Sequence, residues 1–514
     1  MLIFDDKIKK FFVKTRIILV LIIASSFLIK IYYTPFGIPL IGDAFAYFQF
    51  AIDFSILLDY PDKIMPNDGW PLFLGIFFSL FKSTNYMDFM DLQRLISIVI
   101  SILTIIPIYF IAKKFVNTNY SLVASLIFAF EPRILENSIS GLSESLYILV
   151  SVLSINFFIN NKNKTIYLAF GLSSLLSLIR TEGIFLFLSL AFAFIIKKKI
   201  SKEIIKIFLI SNLVFFSIII PFLIVRKIKT GYDHLIDRME IYSNNLAIST
   251  ITNDSLLENF YDGILNYVKF LGWDLIPIFF IFSPLGFFLI LKKRKWENDI
   301  LLIFSIFISV PIFFIYILGV EDSRYFYILY PIFCIYFAIG AKKIIKNNKY
   351  EKVILLILIL FIISCSLLFI EYRKIDQQHE REALMISKVI LNKTIVINEF
   401  WPESGYIPTL IISDKESFPR LISEFNLNPK IISIKTENLD EYMKIGKENG
   451  LTHFIIDDKK NNSYRMKFLG DIFDNEDNYP FLEKQYDSLD DNFTYHVKIF
   501  KINYGVYENM LKKD

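Results

Sequence analysis

The sequence predicts a polytopic α-helical membrane protein with about 11 transmembrane helices and a C-terminal extracytoplasmic α/β domain. Of its 514 residues 54% are hydrophobic, and the mean hydropathy is +0.49. Apolar runs recur between residues 17 and 371, and no later run approaches the roughly 20 residues that span a bilayer. Residues 1–373 hold 36 Lys/Arg and 27 Asp/Glu, whereas residues 374–514 hold 19 and 24. We therefore expect a membrane domain, 1–373, and a soluble domain, 374–514.

The apolar runs define eleven candidate spans. They are 17–34, 93–112, 119–131, 144–160, 166–179, 183–196, 203–225, 273–291, 299–318, 325–340 and 353–371. A further apolar stretch, PLFLGIFFSLF at 71–81, is too short to cross a bilayer. It is expected to form a helix at the membrane interface.

The loops between these spans carry very different numbers of basic residues. Alternate loops, beginning with the N-terminus, contain 22 Lys and Arg, and the opposite loops contain ten although they are longer in total. Basic loops stay in the cytoplasm, so the N-terminus is predicted to be cytoplasmic. With an odd number of spans, the long loops 35–91 and 226–272 and the C-terminal domain lie outside. Orientation thus accounts for the basic excess, and nucleic-acid binding is disfavoured.

The C-terminal domain shows strand patterns rather than spans. TIVINEF, KIISIK, THFIID and HVKIFKI are short runs rich in Ile and Val, which favour strands. NLDEYMKIGKENG, between two of them, is typical of a short helix closed by glycine. This region contains no glycine-rich phosphate loop.

Isolated charges near the predicted outer face are the candidate functional residues. They are Asp43 in IGDAFAYFQFA, Glu144 in SGLSESLY, Arg180 and Glu182 in LIRTEGIF, and Arg324 in GVEDSRYFYILYP. Charges close to the hydrocarbon are costly, so they usually have a partner or a function. One membrane face that collects acids, arginines and a soluble domain suits chemistry on a lipid-linked phosphate ester.

Each of these residues also has a purely structural interpretation. Asp43 suits a helix N-cap as well as a general base at the membrane surface. Glu144 suits the dipole at a helix start. Arg180 and Arg324 suit snorkelling charges as well as ligands of a lipid phosphate. Arg226 is expected on a solvated or headgroup-binding face.

In order along the chain, these stretches resemble the glycosyltransferase C superfamily, in particular dolichyl-phosphate-mannose protein mannosyltransferases and the lipid A aminoarabinose transferase. The matching stretches are Gly42-Asp43 with Tyr47, NDGWPLFLGIFFSLF, SESLY at 143–147, LIRTEG at 178–183, RYFYILYP at 324–331 and the α/β tail. The resemblance covers the membrane domain and, more loosely, the tail.

This resemblance implies an inverting hexosyltransferase in the cell membrane that works on its outer face, in protein glycosylation or cell-envelope synthesis. Asp43 would be the catalytic base that activates an acceptor hydroxyl, and the donor would be a polyprenyl-phosphate sugar. Arg180, Arg324 and Lys63 would bind the donor phosphate. The residues that would order the site are Glu144, Tyr47, Asp68 and Glu182.

The sequence departs from the family pattern at three places and leaves alternatives open. Ala44 follows Asp43 where many relatives have an acid, Thr181 replaces a proline, and Asp68-Gly69-Trp70-Pro71 replaces a His-Lys-Pro-Pro turn. A protein, lipid or glycan acceptor is therefore open.

Two other functions have less support in the sequence. The oligosaccharyltransferase subclass is disfavoured because the tail has a single tryptophan, Trp401, and lacks a Trp-Trp-Asp-x-Gly motif. No cofactor is implied, and a divalent metal stays open. The rival function is a transporter or lipid flippase with an outer partner-binding domain, which would favour charged or helix-breaking residues at mid-span.

Overall fold

The computed structural model describes residues 2–512 with internal gaps. The gaps are 41, 59–67, 84–85, 198–200, four positions within 232–236, 238–255, 294, 347, most of 374–395, 399–429, three positions within 433–437, and 459–465. The chain forms two units. The first comprises 1–34, 50–84 and 91–374, and the second comprises 35–49, 85–90 and 375–514.

Helices dominate the chain up to residue 373. Their bounds are α1 Leu2–Tyr33, α2 Gly42–Ile52, α3 Gly69–Phe78, α4 Tyr86–Ala112, α5 Thr118–Ala129, α6 Pro132–Ile139, α7 Glu144–Ile159, α8 Asn163–Ile179, α9 Ile184–Lys197, α10 Lys202–Thr230, α11 Leu256–Leu275, α12 Phe282–Lys292, α13 Trp296–Ile317, α14 Tyr330–Ile345 and α15 Glu351–Arg373. Six described segments are long and apolar enough to cross a membrane: Thr15–Tyr33, Met87–Ala112, Lys202–Thr230, Trp296–Ile317, Ser323–Ile345 and Glu351–Arg373. The chain is thus a multi-pass membrane protein. The number of eleven crossings stays a prediction.

The predicted span 273–291 is wrong as a continuous helix. Helix α11 ends at Leu275, turns follow, and α12 begins at Phe282. Pro277 lies in this break, and proline has no backbone N–H with which to continue a helical ladder. The break divides the region into one helix that starts inside the predicted outer loop and a second, short one.

Backbone-directed serine hydroxyls join the helices around α8. Ser154 of α7 donates to the Ala169 carbonyl at 2.8 Å. Ser174 of α8 donates to the Phe215 carbonyl of α10 at 2.9 Å. Each small hydroxyl thus bonds to a backbone carbonyl of a neighbouring helix, and so permits close packing in an apolar surrounding. These contacts fix the helix that carries Arg180.

The tail forms a five-stranded sheet of order β2-β1-β3-β5-β4. The strands are β1 Val396–Asn398, β2 Lys430–Ile432, β3 His453–Asp457, β4 Leu482–Asp487 and β5 Val497–Ile502. Strand β1 pairs in parallel with β2 and β3, whereas β5 pairs antiparallel with β3 and β4. The four strands expected from the sequence are confirmed.

The tail also contains elements that the sequence pattern did not indicate. The predicted helix is confirmed as α16, Leu439–Glu448, and its cap Asn438 accepts from the backbone of Asp440 at 2.8 Å. Strand β4 and two helices, α17 Lys467–Asp474 and α18 Tyr504–Leu511, were not expected. The sequence of β4, LEKQYD, has few apolar residues because the strand forms an exposed sheet edge.

Candidate active site

Two glycines fix the end of the helix that presents Arg180. Arg180 directly follows α8, and its extended backbone ends that helix. A side chain at Gly183 would lie 2.6 Å from the Leu176 backbone, and one at Gly69 would lie 2.7 Å from the Ile179 nitrogen. Only glycine permits such approaches without a backbone shift. The glycines of NDGW and LIRTEG therefore hold the residues just before Arg180 from two sides.

Arg180 lies between two carboxylates. Its Nη1 is 2.8 Å from Glu144 Oε1, and its Nε is 3.5 Å from Glu182 Oε2. The Arg180 side chain is 13% exposed and the Glu144 side chain 4%. Within the described residues, the second oxygen of Glu144 accepts no hydrogen bond. Three of the sequence-predicted site residues are thus in direct contact.

Two tyrosine rings complete the surroundings of Arg180. The guanidinium carbon is 5.1 Å from the ring centre of Tyr325 and 5.8 Å from that of Tyr147. Tyr147 lies three residues after Glu144 on α7, so both face the same side. Cation–π contacts of this kind hold a guanidinium in place while its edge stays available. The tyrosines of SESLY and RYF were in the motifs but were not singled out from the sequence.

Arg324 lines the same small cavity as Arg180, Glu144 and Glu182, which has a volume of about 20 Å³. Its Nε lies 2.6 Å from Asp322 Oδ2, and the other Asp322 oxygen accepts from the Arg324 backbone at 2.9 Å. Asp322 thereby caps the 3₁₀ helix Ser323–Leu329. The Arg324 side chain is 34% exposed. We refer to this space as the arginine cavity.

A second ion pair contradicts the expectation for Arg226. Arg226 is buried, and its Nη1 lies 2.6 Å from Asp68 Oδ2, in contrast to the solvated or headgroup-binding face predicted for it. Helix α10 extends to Thr230, beyond the predicted end at 225, so Arg226 is part of the helix rather than of a loop. Asp68 precedes α3 and is itself buried. This pair ties α3 to α10.

Asp43 and Tyr47 belong to the second unit, on α2. Asp43 is exposed and lies in the first turn of the helix, where a carboxylate suits the helix dipole. Tyr47 is buried. Lys63 lies outside the described residues.

A buried cluster around Arg133 was not expected from the sequence. Arg133 is 3.1 Å from Glu131 Oε1 and 3.4 Å from Asp274 Oδ1, and Tyr330 donates to Asp274 at 2.9 Å. Arg133 also donates to the Trp273 carbonyl at 2.6 Å. The acid inside the apolar stretch LGWDLIPIFF was the one sequence signal for it, because a charge there calls for a partner.

An apolar groove of about 730 Å³ lies on another face of α13. Its walls come from α11, α12, α13 and α14, with residues such as Tyr267, Phe287, Phe313 and Phe333. The two spaces share α13, where Ser309 and Val310 line the groove and Ile308 and Pro311 line the cavity. The apolar groove and the two guanidinium groups thus lie on different faces of this helix.

Among the described residues, no group of three or more His, Cys, Asp and Glu side chains has the spacing of a metal site. The carboxylates of the arginine cavity contact Arg180 instead.

Comparison with known proteins shows the class of fold. No family model and no curated protein matches the sequence. The structure is similar to ArnT from Cupriavidus metallidurans, solved with undecaprenyl phosphate, with a TM-score of 0.57 at 10% identity over 94% of this chain and 97% of that one. It is also similar to the Archaeoglobus fulgidus oligosaccharyltransferase AglB, solved with an inhibitory peptide and a dolichol-phosphate, with a TM-score of 0.53 at 11% identity over 85% and 69%. The fold that the motifs led us to expect is therefore confirmed.

Proposed function

We propose that this chain is an inverting membrane glycosyltransferase that moves a hexose from a polyprenyl-phosphate donor to an acceptor hydroxyl. The observation that carries the proposal is the arginine cavity, which both Arg180 and Arg324 line, with an apolar groove on another face of α13. A polyprenyl-phosphate sugar needs guanidinium donors for its phosphate and an apolar place for its tail. The shared fold with two glycosyltransferases favours this function over the transporter alternative.

The two arginines suit different parts of phosphate binding. Arg324 is 34% exposed against 13% for Arg180, so we assign the first contact with the donor phosphate to Arg324. Arg180 is held by Glu144, Glu182 and two tyrosine rings, which fixes its orientation. A preoriented guanidinium stabilises charge on the leaving phosphate without reorganising during the reaction. Lys63 is proposed as a further phosphate ligand.

Asp43 is the proposed general base. It takes the proton of the acceptor hydroxyl while that oxygen attacks the anomeric carbon, the bond from that carbon to the phosphate oxygen breaks, and the lipid phosphate leaves with the bonding electrons. Attack opposite the leaving group inverts the configuration. Asp43 then releases its proton to water. Glu144, Glu182, Asp68 and Tyr47 are proposed to order the site.

The proposed orientation follows from the basic loops. The N-terminus is in the cytoplasm, and the tail, 374–514, together with the catalytic face is outside, where a protein, lipid or glycan acceptor is met. The polyprenyl donor would reach the apolar groove from the outer leaflet.

The test is sugar transfer by purified wild type and Asp43→Asn, with radiolabelled polyprenyl-phosphate mannose and glucose and membrane acceptors. Removal of the base should lower transfer about a hundredfold or more, since general-base catalysis typically contributes 10²–10⁴-fold. Asp88→Asn is the matched control, because Asp88 is also an exposed acid in the first turn of a helix. Equal transfer by Asp43→Asn and wild type would return Asp43 to a structural role. Lack of transfer by the wild type from both donors would exclude mannose and glucose as the transferred sugars with these acceptors.

A further inference from the structure

A second polar cavity is lined by the start of α13, the helix whose later residues line the arginine cavity. It has a volume of about 610 Å³ and is lined by six lysines, among apolar and polar neighbours. Helix α13 contributes Glu297 and Asn298 to this cavity and Ile308 and Ile312 to the arginine cavity. At 1.5 Å per residue, these positions are about 15–23 Å apart along the helix axis. Because α13 is expected to cross the membrane, the two cavities are expected to lie toward opposite sides of the bilayer.

The lysines of this cavity outnumber its acids by six to one. They are Lys114, Lys293, Lys295, Lys342, Lys343 and Lys346, and the one lining acid is Glu297. Lys114 donates to Asn160 at 2.5 Å. Within the described part of the chain, none of the six forms an ion pair with a carboxylate. We refer to this space as the lysine groove.

The close packing of two helices forces these lysines together. A side chain at Gly286 of α12 would overlap the Tyr336 carbonyl oxygen, and one at Gly340 of α14 would overlap that of Phe282. The two helix backbones thus touch at glycines. The last residues of both helices line the groove, so Lys293 after α12 and the lysines at the end of α14 are brought to one space.

Favourable interaction with helix dipoles explains only part of this arrangement. A lysine in the last turn of a helix is stabilised by the partial negative charge there, typically by a few tenths of a kcal/mol to about 1 kcal/mol. That accounts for Lys342 and Lys343 in the last turn of α14 and for Lys293 directly after α12. It does not account for Lys114 and Lys295, which lie after α4 and before α13 and line the same groove.

The floor of the groove is apolar. Phe115, Val116, Leu289, Ile290 and Ile339 line it beneath the lysines. A soluble anion would use only the lysines, whereas a lipid with an anionic headgroup would use both parts. The volume is also large for a single phosphate ion, since a cavity of about 10–15 Å³ already holds one water.

We propose that the lysine groove binds the phosphate headgroup of an anionic phospholipid in the leaflet opposite the arginine cavity. Basic pockets between membrane helices are suited to such headgroups, because the negative lipids of the cytoplasmic leaflet attract them. The site is separate from the proposed sugar-transfer chemistry. The orientation predicted from the basic loops makes this leaflet the cytoplasmic one.

The test is lipid binding by the purified full-length protein, measured by native mass spectrometry during titration with phosphatidylglycerol or phosphatidylcholine of the same acyl chains. Wild type should bind phosphatidylglycerol at least tenfold more tightly than phosphatidylcholine. Lys293→Gln/Lys342→Gln/Lys346→Gln should lose that preference. Lys164→Gln/Lys202→Gln/Lys206→Gln removes the same charge from exposed positions outside the groove, and it should keep the preference within about twofold.

Three results would overturn the proposal. Equal binding of the two lipids by wild type would show no headgroup selection. An equal loss in both triple variants would reduce the effect to overall charge. Stabilisation of wild type, but not of the groove variant, by inorganic phosphate without any lipid preference would assign the groove to a soluble anion. If the groove variant fails to fold, Lys293→Gln/Lys346→Gln replaces it, because both side chains are exposed; unchanged lipid preference in that variant would also refute the site.

Discussion

Arg180 and Arg133 have the same kinds of partner, but their side chains differ in solvent exposure. Each lies between two carboxylates, at 2.8 and 3.5 Å for Arg180 and at 3.1 and 3.4 Å for Arg133, and each has an aromatic ring at 5.1 Å. The Arg180 side chain is 13% exposed and lines a cavity, whereas the Arg133 side chain is 3% exposed and its carboxylates 0–1%. Arg133 also donates to a backbone carbonyl.

The difference separates a binding group from a structural one. A guanidinium that can be reached can exchange part of its contact with a carboxylate for a phosphate. A guanidinium in a cluster closed to solvent cannot bind a phosphate. Removing one member of such a cluster leaves an uncompensated buried charge. Composition and contacts alone do not distinguish the two clusters; access to a cavity does.

The largest expected effect is the loss of stability in Arg133→Met. Glu131 and Asp274 would remain buried without their cation, at a cost of about 3–5 kcal/mol. The thermal unfolding midpoint and the yield of monodisperse protein measure this. Glu131→Gln/Arg133→Met/Asp274→Asn removes all three charges and should recover much of the stability. Normal stability of the single variant would show that the cluster is not sealed, and the comparison would fail.

Arg180→Gln should chiefly lower transfer. Loss of one preoriented group that stabilises developing charge typically costs 10²–10³-fold in rate. Its destabilisation should be smaller than that of Arg133→Met, because the cavity gives water access to Glu144. Arg180→Lys keeps the charge but not the planar fork, so it should recover only part of the rate. The rate of sugar transfer and the thermal unfolding midpoint, measured on the same preparations, test this prediction. A stability loss as large as that of Arg133→Met with unchanged transfer would assign Arg180 to structure.

Gly183→Ala tests whether the position of Arg180 matters as well as its charge. The added methyl would meet the Leu176 backbone at 2.6 Å, which displaces the turn after α8. A misplacement of about 1 Å can lower a rate on the order of a hundredfold, so a clear loss of transfer is expected. Gly470→Ala is the control, because a methyl at Gly470 meets nothing within 4 Å. Wild-type transfer by Gly183→Ala would show that the site tolerates the shift.

The smallest effects should come from a pair of tyrosine variants. Tyr330→Phe removes the hydrogen bond to Asp274 and should cost about 1–3 kcal/mol of stability, because it leaves a buried acceptor less satisfied. Tyr147→Phe keeps the ring that faces Arg180. It should change the rate of transfer by no more than about twofold and leave the unfolding midpoint near that of wild type. Chemical or thermal unfolding separates them. A larger stability loss in Tyr147→Phe than in Tyr330→Phe would reverse the assignment of the two clusters.

Much of the fold was predictable because the membrane imposes a simple rule. Every backbone group in hydrocarbon must be hydrogen-bonded, so long apolar runs become helices. The predicted spans 17–34, 203–225 and 353–371 fall on long helices for this reason. The hydropathy pattern does not predict the break after Leu275, because apolar residues continue through it. Pro277 is the local sequence feature that indicates it.

The site was predictable in part. Arg180, Glu144, Glu182 and Arg324 were singled out as charges near the membrane edge, and the structure brings them to one cavity. The pairing of Arg226 with Asp68 was missed because the two residues are far apart in sequence and the partner of a charge is set by helix packing.

By itself, the sequence determined the membrane helices, the sheet of the tail and the types of charged groups at the membrane edge, since these follow from hydropathy, strand pattern and the cost of burying a charge. Tertiary structure alone decided which charges meet. The approach of Gly69 and Gly183 to α8 positions Arg180, and the approach of Gly286 and Gly340 collects the lysines. The contacts of Gly69 with α8 and of Gly286 with α14 join helices distant in the chain, and short-range sequence patterns do not reveal such contacts.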